Sequence, residues 1–309
     1  MNGRVNEARK RSGARRRVKM RSALLLTLWG AMVAAFWQAL RATALAHLPD
    51  AAALVLDMLA AALAWLLPAA LGLLFVDGDQ RRLLPARALT AEQTWRLALC
   101  GVLCVAPMTL LGDVLAAFSG VLGGGNAAMA AGRDAALLVP LLVRSMLLTP
   151  LCEELFFRGY LLQALAPYGR RAAVLATALL FALSHAGRGL LPFALLGVLL
   201  SALTMRTGSL LAPLLVHGAY NGAVVLISFA GLSPLFDRLS LVSCALRLAM
   251  CAAFARELSF AWRARLSGRR VCLRSGGRLS VREGLMLILA LLAMIAAAAL
   301  PFLLPEATR

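Results

Sequence analysis

Glu153 and Glu154 stand side by side, with Arg158 four residues on, in a run that is otherwise apolar: Pro150, Leu151, Cys152, Leu155, Phe156, Phe157, Gly159. A charged side chain at the centre of a bilayer costs at least about 2.5 kcal/mol, so three in one short apolar stretch call for a purpose. On a helix the 100° step separates the two carboxylates, while Glu154 and Arg158, at i and i+4, share a face in the favourable order for an ion pair. Glu153 is left to face a different neighbour. Of the three histidines, His185 and His217 fall inside apolar segments, and His217 shares a helical face with Asn221 across the small residues Gly218 and Ala219. Together these groups could hydrolyse an amide. A carboxylate takes a proton from water, an imidazole shares or relays it, and further donors hold the tetrahedral oxyanion.

The elements that must position them are membrane helices. A chain of 309 residues that is 61% hydrophobic and 15% charged, with mean hydropathy +0.82, reads as an all-α polytopic transmembrane bundle. Apolar spans are expected at 22–40, 51–76, 97–122, 135–163, 172–186, 190–205, 209–231, 240–261 and 284–304, giving about 8–9 crossings. The spans at 172–186 and 190–205 are short for a bilayer, which suits tilting or a reentrant pair. The first apolar run is too long for a cleaved leader and has no small-residue cleavage site. Pro150 should kink the helix that carries the glutamates or begin a new one.

The formal net charge of +18 follows topology rather than nucleic acid. With the N-terminus inside, 23 Lys and Arg fall in inner segments and five in outer ones, with four inside spans. Residues 1–21 form a basic cytoplasmic arm, and the arm and the basic loop from Arg263 to Arg282 are expected to meet anionic lipid. The six cysteines, Cys100, Cys104, Cys152, Cys244, Cys251 and Cys272, have no metal-knuckle spacing and read as small core residues. Gly123, Gly124, Gly125 and Asn126 read as an outer loop, not a phosphate cradle. Asp57 and Asp113 are expected to pair with Arg144 or with a backbone donor. At 1.5 Å per residue, Glu153, His185, His217 and Asn221 lie roughly 13 to 20 Å from the inner edge, so one layer can hold all four.

Three motifs in order, Glu153-Glu154-x-x-x-Arg158, Phe181-x-x-x-His185 and His217-x-x-x-Asn221, resemble the intramembrane glutamic proteases of the CAAX-prenyl-protease-2 and bacteriocin-processing type, the CPBP or Abi family. Gly159 and Tyr160 after the arginine, and Thr207, Gly208, Ser209 and Leu210 before the third motif, fit the same resemblance. It implies that Glu153 activates water with help from His185. His217 and Asn221 then stabilise the oxyanion, Glu154 and Arg158 support the site, and Phe181 packs. No cofactor is required by that mechanism. Glu153, His185 and His217 could in principle form a zinc set, yet no HExxH is present and the ligands would come from three helices.

The implied organisation is a basic arm over 1–21, N-terminal transmembrane helices over 22–134, a catalytic core over 135–231 and C-terminal transmembrane helices with a basic loop over 232–309. The implied substrate is a membrane-associated peptide or protein. Prenylated C-termini, bacteriocin leaders and membrane-anchored sorting tails all fit the family. The implied location is a bacterial inner membrane with the N-terminus cytoplasmic. Two other readings compete: a noncatalytic scaffold or immunity-type protein that retains the fold, and a proton-coupled transporter. The transporter would show repeated halves, and the sequence has none.

Overall fold

The computed structural model describes residues 20–43, 45, 47–74, 88–116, 135–185, 189–237, 240–263 and 280–303. Most of the basic arm, the glycine loop at 123–126, most of the second basic loop and Cys272 lie outside the described residues. Within them every regular element is helical. In chain order these are α1 (Met20–Ala42), α2 (Asp50–Leu74), α3 (Ala91–Ala116), α4 (Ala135–Tyr168), α5 (Arg170–Leu183), α6 (Leu190–Thr207), α7 (Leu211–Phe229), the short α8 (Pro234–Asp237), α9 (Leu241–Arg263) and α10 (Val281–Leu303).

Six of them, α1, α2, α3, α4, α6 and α7, are long and apolar enough to cross a membrane, and the chain is an integral membrane protein. Length and apolarity thus support six crossings among the described residues, short of the eight or nine expected. Helix α5 shows why: its 14 residues rise only about 21 Å against a hydrocarbon core of about 30 Å. The outer faces match a lipid solvent, with Met32, Phe36, Val139, Leu147, Val242 and Leu248 all exposed.

Local sequence sets the ends and bends. Thr90 and Gln93 form a capping box that starts α3. Helix α6 stops at Gly208, whose φ of 62° is left-handed, and Thr207 Oγ1 then accepts from the Ser209 backbone N–H to close a tight turn into α7. That turn is the structural content of the Thr207-Gly208-Ser209-Leu210 signature. In α4, Pro150 does not break the helix. Wide π-type turns at Val143–Leu148 and Leu155–Leu161 flank it and absorb the irregularity, a feature that recurs at functional sites.

Close helix approach depends on absent side chains. A Cβ on Gly218 would sit 2.4 Å from the Met146 carbonyl oxygen, so α7 can press against the first π-type turn of α4 only with glycine there. Part-buried ion pairs join the outer helices to the bundle. Arg144 meets Asp57 at 3.2 Å, and the Trp37 indole N–H also donates to Asp57 at 2.8 Å. Asp113 departs from expectation: its partner is neither Arg144 nor a backbone donor but Arg247, which reaches it from α9 and also donates to the Phe236 carbonyl at 2.7 Å. Sequence separation of 134 residues hid that pair.

Candidate active site

Helix α4 supplies both glutamates and the arginine. The i, i+4 geometry brings Arg158 Nη1 to 2.8 Å from Glu154 Oε1, with the two side chains 0% and 2% exposed. Charges this deep need more than one partner, and Arg158 has others. Its Nη2 donates to the Gly197 carbonyl of α6 at 3.4 Å, and its guanidinium lies over the Phe181 ring at 4.3 Å. A Cβ at Gly197 would lie 2.9 Å from the Ala178 backbone, so glycine allows α6 to come this close to α5.

The two glutamates face different neighbours, as the helical step requires. Glu153 Oε2 lies 3.7 Å from His185 Nε2 and 3.8 Å from His217 Nε2. Glu154 Oε1 instead accepts from His217 Nδ1 at 2.9 Å. His217 therefore stands between the two carboxylates, one nitrogen toward each. Nothing in the spacing of the motifs along the chain revealed that arrangement, because it depends on how α7 crosses α4.

The imidazole orientations follow from their bonds. His185 Nδ1 lies 2.9 Å from the Phe181 carbonyl, which can only accept, so Nδ1 carries the proton and neutral His185 turns the lone pair of Nε2 to Glu153. The hydroxyl of Ser184 donates to the same carbonyl at 2.7 Å and sits 3.1 Å from His185 Nδ1. Phe193 of α6 stacks on the His185 ring at 4.5 Å and 15°, and Phe181 packs against both histidines. Likewise His217 Nδ1–H donates to Glu154, and Nε2 points at Glu153.

Asn221 lies one turn beyond His217 on α7, where its amide donates to the Ser145 carbonyl at 3.1 Å in the π-type turn of α4. Ser184, Phe193 and the Gly197 carbonyl escaped the sequence reading. Ser184 had a signal, a polar residue next to His185 on an apolar helix. Phe193 and the Gly197 carbonyl had none, since one looks like core and the other is backbone. Among the described residues no group of three His, Cys, Asp or Glu side chains is placed to hold a metal ion.

A buried glutamate–histidine centre inside a bundle of membrane helices defines a class, and the comparison with family models agrees. Residues 135–223 match the family model described as Rce1-like, type II CAAX prenyl endopeptidase Rce1-like. No curated protein and no solved structure matches the chain.

Proposed function

We propose that the chain is an intramembrane endopeptidase in which Glu153 activates water against a peptide bond of a membrane-associated substrate. One observation carries this reading: a buried carboxylate oxygen of α4 faces Nε2 of two histidines at 3.7 and 3.8 Å, one just past the end of α5 and one on α7. With the His185 proton held on Nδ1, Glu153 Oε2 and His185 Nε2 are two acceptors facing each other. A water that donates to both is poised for deprotonation.

In the reaction, the water oxygen attacks the substrate carbonyl carbon as its proton passes to Glu153, with His185 sharing it. The oxyanion is stabilised by Asn221 and His217, while Glu154 and Arg158 hold that histidine in place. The same proton then goes to the leaving amine nitrogen as the C–N bond breaks. Similarity to type II CAAX prenyl endopeptidases makes a prenylated C-terminal peptide the first substrate to try. The site lies in a bundle of eight to nine spans in a bacterial inner membrane, with the N-terminus cytoplasmic, basic segments on anionic lipid and no nucleic-acid partner.

Comparative membrane proteomics tests this reading and finds the substrate. Cells making the wild type should contain cleaved termini that are missing from cells making Glu153→Gln at equal abundance. Identical termini in both would refute the assignment and favour a noncatalytic scaffold.

A further inference from the structure

A cavity of about 10 Å³ lies behind the site, lined by Ala31, Ala34 and Gln38 of α1, Trp65 of α2, Leu183 and Ser184 at the end of α5, and Met294 of α10. Its volume suits a single water, whose occupancy also requires polar partners. Two are present. Gln38 Oε1 is fully buried and has no protein partner, and Ser184 is the other polar lining residue. In hydrocarbon surroundings an unsatisfied buried carbonyl is costly, and Gln38 is a poor choice for this wall unless something donates to it.

Hydrogen-bond accounting at Ser184 points the same way. Its single proton goes to the Phe181 carbonyl, and one lone pair faces His185 Nδ1–H. The other lone pair is open to a donor on the cavity side. We propose that the cavity is an internal water site, and that its water, donating to Gln38 Oε1 and Ser184 Oγ, makes Ser184 a positioning residue that holds His185 Nε2 toward Glu153. This deepens the protease reading and rests on it for its kinetic consequence. It also gives α1, which lies outside the matched segment, a part in the chemistry.

The test is a double-mutant cycle of Gln38→Met and Ser184→Ala, with Ser184→Thr as the conservative control. Thermal unfolding of the purified protein needs no substrate. A shared water makes the two shifts in Tm non-additive although the side chains are on different helices. A dry cavity gives additive shifts, with Gln38→Met more stable than wild type, and that result overturns the proposal. For cleavage, Gln38→Met should lower kcat about three- to tenfold with KM unchanged, the scale of one lost hydrogen bond. Ser184→Ala should lower it at least as much, Ser184→Thr should restore it, and the double variant should be no worse than Ser184→Ala. Full kcat in Gln38→Met alongside an inactive Glu153→Gln overturns the water site alone. Non-additive Tm shifts with cleavage unaffected by Glu153→Gln overturn the protease reading alone.

Discussion

Arg158→Met leaves the Glu154 carboxylate buried without its cation, and Glu154→Gln leaves the guanidinium without its anion. Both side chains are at most 2% exposed and meet at 2.8 Å, so neither can turn to solvent for compensation. Breaking such a pair by removing one partner costs about 3–5 kcal/mol, whereas removing both charges together is far cheaper. Glutamine is the informative substitute because it keeps an acceptor for His217 Nδ1, now 2.9 Å from Glu154 Oε1. Two single variants therefore lose about 6–10 kcal/mol in sum, whereas the double variant should lose less than either single, no more than about 3 kcal/mol, a coupling of about 3 kcal/mol or more. Reversible unfolding in mixed micelles, followed by loss of helical circular dichroism as SDS is added, supplies the four free energies. Additivity to within about 0.5 kcal/mol would refute the argument, since it would mean that the two charges do not depend on each other.

Three further outcomes follow from the same geometry. Gly218→Ala drives a methyl to 2.4 Å from the Met146 carbonyl oxygen and should destabilise the bundle by about 1–3 kcal/mol, seen as a lower Tm. Asn221→Ala removes one proposed oxyanion donor and should reduce kcat about 10²- to 10³-fold in a peptide-cleavage assay, with a smaller effect on KM. Cleavage should persist at full rate after treatment with EDTA or 1,10-phenanthroline, and loss restored by added zinc would require a metal-based mechanism.

Much of this architecture was legible in the sequence because membranes impose simple rules. Apolar length located the helices, and the 3.6-residue period paired Glu154 with Arg158 while turning Glu153 away. Depth along the helices allowed Glu153, His185 and His217 to meet, and they lie within 3.8 Å of one another's facing atoms through Glu153 Oε2. What could not be read depends on crossing geometry. The position of His217 between the two glutamates, the reach of Arg247 to Asp113 and the stacking of Phe193 on His185 each join helices distant in sequence. The π-type turns were also hidden, since Pro150 predicts a disturbance in α4 but not its form. The number of crossings is hard to read for a related reason: apolar residues mark a short helix such as α5 as readily as a spanning one.

The most direct measurement is the cleavage rate of purified protein in liposomes, wild type against Glu153→Gln, on the peptide that proteomics identifies or on a prenylated C-terminal peptide. Glutamine preserves the shape of the side chain and removes its ability to take a proton. The rate should fall about 10²- to 10⁴-fold, the contribution expected of a general base, while Tm stays close to that of the wild type. Undiminished cleavage by a folded Glu153→Gln protein would contradict the account.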